Sequence, residues 1–158
     1  PDVVILDAPA TGHAVAWLAA PRLISEVIQS GPIGHMATTI AAFMTDRERF
    51  GIVVVTTAEE MPVQESLELI DRLDERLQRR PDLVVVNSLY PPLPDAAAAD
   101  DPAAALWAHR RGLNDRELAR LLEHWSGPIA ELPLLALDPG PPLIGALTRH
   151  LELASGRP

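Results

Sequence analysis

The first candidate catalytic or ligand-binding residues of this chain surround Asp7. Asp7 follows an apolar run, Val3–Leu6, and precedes Pro9 and the polar triplet Thr11–His13. A short, β-branched, apolar run predicts a buried strand. In open α/β sheets, ligands bind just beyond the carboxyl ends of strands. The acid and the turn after it therefore stand where a ligand would bind.

Asp7 and His13 each have two interpretations, and the residues between them restrict the turn or offer hydrogen-bond donors. Asp7 either holds magnesium beside a phosphate chain or accepts hydrogen bonds from the turn as a capping residue. Pro9 restricts the exit angle of the chain. Thr11 and Gly12 offer a hydroxyl and an open N–H where a helix begins, which suits an anion. His13 either donates to a phosphate or packs at the start of the helix.

The hydrophobic pattern predicts the strands and helices that carry these residues. Three runs are apolar on both faces, which is typical of strands in a parallel sheet: Val3–Leu6, Ile52–Val55 and Leu83–Val86. A weaker fourth run, Ile129–Leu135, is broken by Pro133. Helical patterns lie between the runs, and this alternation predicts an α/β fold with a doubly wound, mostly parallel sheet.

The predicted helices take their bounds from prolines, glycines and capping signals. Residues 14–50 are predicted to be mostly helical, with interruptions at Pro21 and Gly31–Pro32. Asn114 and Glu117 resemble a capping box, which predicts a helix that starts there. The remaining predictions are a helix from Pro62 to Pro81, a loop over residues 91–102 and a short helix over Leu143–Leu153.

Composition excludes several classes of function. The net charge of −9 argues against nucleic-acid binding and against docking on an anionic membrane. No apolar run approaches the roughly 20 residues of a membrane span, and the start carries no basic signal-peptide region, so we expect a cytoplasmic protein. Without cysteine, thiolate zinc sites and cysteine nucleophiles are excluded. All 13 basic residues are arginine, so the sequence contains no P-loop lysine.

Four segments resemble one family of ATPases. The stretch VVILDAPATGHAVAWLAAP resembles the signature of ArsA-type anion-transporting ATPases, which include arsenical pump ATPases and ATPases that target tail-anchored membrane proteins. Three later stretches resemble later family segments in the same order: GIVVVTTAEEMPVQESLELIDRL, PDLVVVNSLYP and IAELPLLALDPGPPLIGALTRHL. The resemblance implies a P-loop NTPase fold of the SIMIBI class. Residues 1–158 would be the C-terminal part of one ATPase domain, with the P-loop and the first switch upstream.

The resemblance also implies roles for individual residues, with ATP and Mg²⁺ as ligands. Asp7 would be the Walker-B-like acid that faces the magnesium–water shell. Pro9, Thr11, Gly12 and His13 would form the second switch, which senses the γ-phosphate. Asn87 would hydrogen-bond the adenine base, and its amide offers both a donor and an acceptor; the alternative for Asn87 is a turn residue at a strand exit.

Pro133 and Leu134 would lie near the adenine. By the same resemblance, closure of a homo- or heterodimer around ATP would move residues 14–50, a possible binding region for a hydrophobic protein client. Metalloid transport is not expected, because the chain has no cysteine. The alternative is a non-catalytic half that binds a partner through its hydrophobic helices. A third class, the Mrp or septum-site-determining ATPases, shares the Asp-x-Pro turn but usually lacks Thr-Gly-His.

Overall fold

The computed structural model describes residues 3–8, 11–93 and 101–155 of the chain. In chain order the elements are α1 (Thr11–Val27), α2 (Gly31–Thr45), β1 (Val53–Thr57), α3 (Glu60–Leu77), β2 (Leu83–Leu89), α4 (Pro102–His124), β3 (Ile129–Pro133) and α5 (Pro141–Ser155). They form two units: Pro1–Ile52 with Glu68–Arg80, and Val53–Leu67 with Pro81–Pro158. The prediction of an α/β fold is confirmed.

The second unit is built on a small, open, parallel sheet in the order β1-β2-β3. Its three strands match three of the four predicted apolar runs. Val84, Val85 and Val86 of β2 are all buried, so both faces of the central strand are covered. This explains why β2 is apolar at consecutive positions instead of alternating.

The prediction of a strand at Val3–Leu6 is wrong. Residues 3–8 form no strand, and the four apolar side chains of the run are 75% to 89% exposed. A β-branched sequence becomes a strand only when a neighbour completes its backbone hydrogen bonds. Within the described residues, the sheet contains only β1, β2 and β3, so Val3–Leu6 has no strand partner there.

Helix α4 starts earlier than the sequence predicts. It begins at Pro102, and the Asp101 carboxylate accepts a hydrogen bond from the Ala103 N–H at 2.9 Å. An aspartate cap followed by proline is a strong start signal, and it overrides the weaker signal at Asn114. The predicted start at Asn114 is therefore wrong, since this residue lies buried inside the helix. Of the predicted loop 91–102, residues 94–100 lie outside the described residues.

Helix α5 packs on β3. It spans two residues more at each end than the predicted Leu143–Leu153. Its Leu147 packs against a small cluster formed by Val85, Ala130 and Leu132. These contacts cover one face of the sheet over β2 and β3.

The first unit contains a pair of helices, α1 and α2, in contact with each other. The predicted break at Gly31–Pro32 is confirmed, with Gly31 at a φ of +79°. The predicted interruption at Pro21 is wrong, because α1 continues through it. A proline removes one helical hydrogen bond, but its φ is compatible with a helix. The predicted helical range 14–50 is also too long, since α2 ends at Thr45.

A buried arginine holds the first unit together. Arg79 follows α3 and donates from Nη1 to the Met44 carbonyl and from Nη2 to the Phe50 carbonyl, both at 2.9 Å. The guanidinium therefore joins the segment after α3 to the end of α2 and to Phe50. Within the described ranges, no helix combines the length and the apolar character that crossing a membrane requires.

The turn between α4 and β3 generates a stability prediction. A Cβ atom on Gly127 would lie 2.3 Å from the Trp125 ring, and this ring is buried, with its Nε1 donating to the Pro128 carbonyl at 3.1 Å. We expect Gly127→Ala to lower the free energy of unfolding by about 1–3 kcal/mol through overpacking, measured by urea denaturation.

Gly112→Ala is the matched control for this substitution. Gly112 lies inside α4 with nothing within 4 Å of its Cβ position. Alanine there should raise stability by about 0.5–1 kcal/mol, because it removes the entropic cost of a helical glycine. Equal effects of the two substitutions would contradict the packing of Trp125 described above.

Candidate functional site

The candidate site is the edge of the sheet at which the three parallel strands end. Thr57, the last residue of β1, pairs with Asn87 of β2, and Leu89 pairs with Pro133 of β3. Leu134 follows directly. The structure therefore brings Asn87, Pro133 and Leu134 to one edge of the sheet, the position at which open α/β sheets bind ligands.

The backbone of β2 is irregular at this edge. The register with β3 shifts between Val86 and Leu89, and Ser88 has a φ of +59°. Beyond this bulge, the Leu134 N–H donates to the Leu89 carbonyl at 2.7 Å and restores the pairing. Bulges redirect side chains and are frequent next to active sites. Here the shifted stretch between Val86 and Leu89 contains Asn87, which stays paired with Thr57 of β1.

The environment of Asn87 suits a polar, planar ligand. The residue is half-buried, and its side-chain amide makes no hydrogen bond to another described residue. Pro133 is half-buried, and Leu134 is 36% exposed. An amide that shares the end of a sheet with apolar residues can hydrogen-bond a polar ligand bound there.

Three side chains of α4 hold the strand exits, and we call them the α4 staple: Trp107, Arg111 and Asn114. Their spacing of four and three residues places them on one face of the helix. Arg111 Nη1 donates to the Tyr90 carbonyl at 2.7 Å, and Trp107 Nε1 donates to the Pro91 carbonyl at 2.8 Å. The Trp107 and Tyr90 rings also meet edge to face, with centroids 4.9 Å apart.

Asn114 makes the most deeply buried contacts of the staple. Its Oδ1 accepts from the Tyr90 N–H at 2.9 Å, and its Nδ2 donates to the Ala58 carbonyl at 2.8 Å. One side chain thus joins the exit of β1 to the exit of β2. Arg111 is oriented in turn by Asp115, whose carboxylate lies 2.8 Å from Nε.

The sequence interpretation missed the role of Asn114 because it assigned this residue to a helix start. A signal was nevertheless present. Asn114 precedes Leu118, Leu121 and Trp125 at spacings of four, three and four, so it continues their apolar stripe. An asparagine in a buried stripe needs hydrogen-bond partners from elsewhere in the fold.

Residues predicted around Asp7 lie in the first unit. Asp7 is exposed, and the structure does not place it at the end of a strand, because residues 3–8 form none. Thr11, Gly12 and His13 are the first residues of α1, as expected for a turn that leads into a helix. The His13 side chain is exposed, whereas Pro9 lies outside the described residues.

A protein-built metal centre does not form in the described ranges. No three His, Asp or Glu side chains among these residues lie close enough together to hold a metal ion. Asp7 contributes a single carboxylate there.

Comparison with known proteins relates part of the chain to proteins named as ATPases. This chain is 31% identical over 72 residues to ATPase BagA of Mycobacterium tuberculosis. The match covers 46% of this chain and 21% of that protein. "Putative ATPase Mb3704" of Mycobacterium bovis matches with the same identity and coverage. No family model matches the chain. The matched stretch spans about a fifth of the length of these relatives.

Proposed function

We propose that this chain is part of an ATP-hydrolysing ATPase of the ArsA type, in which magnesium-dependent hydrolysis drives a switch between dimer states. The partial similarity to proteins named as ATPases and the parallel α/β sheet support nucleotide binding. The signature around Asp7 supports the ArsA type. The sequence holds no P-loop lysine, so the proposal assigns phosphate binding by a P-loop to another segment of the native protein.

The observation that carries this proposal is the half-buried Asn87 amide near the bulged end of β2, which bonds no other residue in the described part of the chain. An asparagine amide can accept from the exocyclic amino group of adenine while donating to a ring nitrogen. Guanine and hypoxanthine carry an oxygen at the 6 position and cannot donate there. In our proposal Asn87 reads the base edge, and Pro133 and Leu134 lie near the ring.

The remaining roles follow the resemblance to the family. Asp7 faces the water shell of the magnesium that accompanies ATP, and the segment from Pro9 through Thr11 and Gly12 to His13 senses the γ-phosphate. A helix start with free N–H groups favours a phosphate, which supports this assignment. Hydrolysis itself is the in-line attack of water on the γ-phosphorus, which breaks its bond to the bridging oxygen and releases ADP and phosphate.

Base recognition can be tested at Asn87. In the native full-length protein, Asn87→Ala should weaken ATP binding about tenfold, as expected for the loss of hydrogen bonds worth about 1.4 kcal/mol. Binding of ITP, which lacks the 6-amino group, should change little. Isothermal titration calorimetry measures both dissociation constants. An equal loss for ATP and ITP would contradict base reading by Asn87.

Turnover can be tested at Asp7. Asp7→Asn should lower kcat for ATP hydrolysis by about 10²–10³-fold, because it removes charge from the phosphate-transfer site. The dissociation constant of ATP should change far less. Asp71→Asn, at an exposed position on α3, is the control and should leave kcat unaltered. Wild-type turnover in Asp7→Asn would reject the assigned role.

A second candidate function is the binding of a hydrophobic protein segment, favoured by the surface of the α1–α2 pair. These helices bury small residues such as Ala19, Gly34 and Ala37. They leave large apolar side chains more than half exposed: Trp17, Leu23, Val27, Ile33 and Met36. An exposed apolar surface of this kind is typical of a protein interaction site, and methionine adapts to varied partners.

A negative charge introduced on this surface tests the second function. We expect Met36→Glu to reduce photo-crosslinking of a 20-residue apolar helical peptide about tenfold, because the peptide would bury an unpaired carboxylate. Leu106→Glu is the matched control, since Leu106 is an equally exposed apolar residue on α4. Undiminished crosslinking in Met36→Glu would reject this surface as the binding site.

A further inference from the structure

We propose that Asn114 is a positioning residue for base recognition: it holds the exits of β1 and β2 so that the Asn87 amide keeps the orientation that selects adenine. This inference rests on the proposed ATP binding. Asn114 is assigned no contact with the nucleotide. It acts through the backbone of the two loops that it joins, and it belongs to α4, an element with no other part in base reading.

The first support is the placement of the two hydrogen bonds. Ala58, which accepts from Asn114 Nδ2 at 2.8 Å, immediately follows Thr57, and Thr57 is the register partner of Asn87. Tyr90, which donates to Asn114 Oδ1 at 2.9 Å, lies three residues beyond Asn87. Asn114 therefore hydrogen-bonds the backbone one residue after the end of β1 and one residue after the end of β2.

The second support is the unusual backbone between Asn87 and Tyr90. Ser88 has a φ of +59°, a conformation that costs a non-glycine residue energy and persists where the surroundings impose it. The surroundings here are the Leu134 N–H on the Leu89 carbonyl and the α4 staple on Tyr90. Without Asn114, the N–H of Tyr90 loses its partner, and the bulge loses one of these constraints.

The third support is the chemistry of the side chain. Asn114 is 6% exposed, and it uses both ends of its amide at once, one as donor and one as acceptor. An amide carries its donor and its acceptor on separate atoms, whereas a threonine hydroxyl would have to serve both backbone groups from one oxygen. Aspartate would keep the acceptor for Tyr90 but turn a second oxygen toward the Ala58 carbonyl. Leucine would fill the volume and satisfy neither backbone group.

A positioning role predicts a loss of discrimination as well as a loss of stability. A merely structural residue would lower stability and weaken ATP and ITP binding in proportion. A residue that orients Asn87 changes the ratio of the two dissociation constants, because only ATP uses the oriented amide. The effect must also disappear when Asn87 is already removed, since there is then no amide left to orient.

The experiment is a double-mutant cycle in the native full-length protein. Dissociation constants for ATP and ITP are measured for the wild type, Asn87→Ala, Asn114→Ala and the double variant. We expect Asn114→Ala to lower the preference for ATP about tenfold and to leave the preference of Asn87→Ala unchanged. Asn114→Asp should resemble Asn114→Ala, because the bond to Ala58 is lost in both.

Leu121→Ala is the matched control for the cost in stability. Leu121 is fully buried two turns further along α4, and it has no hydrogen bond to the strand exits to lose. All variants are compared at a temperature where circular dichroism shows each of them folded. Leu121→Ala should keep the preference for ATP. An unchanged preference in Asn114→Ala, or an equal loss in Leu121→Ala, would overturn the positioning role.

Hydrogen exchange separates this inference from the proposed function. In the nucleotide-free protein, Asn114→Ala should speed exchange at the amides of Leu89, Tyr90 and Leu134, whereas Leu121→Ala should affect α4 more than these positions. Unchanged exchange at the three amides would overturn the inference whether or not ATP binds. If Asn114→Ala speeds exchange at these amides but the wild-type protein binds no ATP, the proposed function is rejected and Asn114 has a structural role only.

Discussion

Strand β2 lies between two parallel neighbours and is buried on both faces, and the candidate site depends on this position. Parallel pairing makes the carboxyl ends of β1, β2 and β3 meet at one edge of the sheet. The buried valines Val84–Val86 anchor β2 between the layers that cover its two faces. The shift in register relative to β3 lies directly after this core and includes Asn87 and Ser88.

Rigidity at this edge comes from buried hydrogen bonds more than from ion pairs. The Arg111–Asp115 ion pair at this edge is partly exposed, and exposed pairs of this kind contribute about 0–1 kcal/mol. The α4 staple instead binds backbone groups that have no strand partner beyond the bulge. Leaving such a buried group without a partner costs about 1–3 kcal/mol. A neutral amide can therefore define the geometry of the edge more firmly than the charges around it.

The pattern of residues predicted most elements and failed where a distant partner decides the outcome. The β-branched runs at Ile52 and Leu83 became strands, as did the weaker run at Ile129, because neighbours were present to complete their ladders. Val3–Leu6 has the same composition and forms no strand, since no described strand pairs with it. Asn114 matched a local capping pattern, yet its side chain is satisfied by Ala58 and Tyr90, 56 and 24 residues away.

The α/β class and the parallel sheet could be predicted from the sequence, and so could the position of Asn87 near the end of a strand. These follow from hydrophobic periodicity and turn residues, which act over a few neighbouring positions. The bulge of β2 at Ser88 and the shared edge of Asn87, Pro133 and Leu134 depend on tertiary contacts. The same is true of Asn114, which links two strand ends by hydrogen bonds and does not cap a helix. Each of these features depends on backbone groups brought together from remote parts of the chain, and no local pattern records which groups will meet.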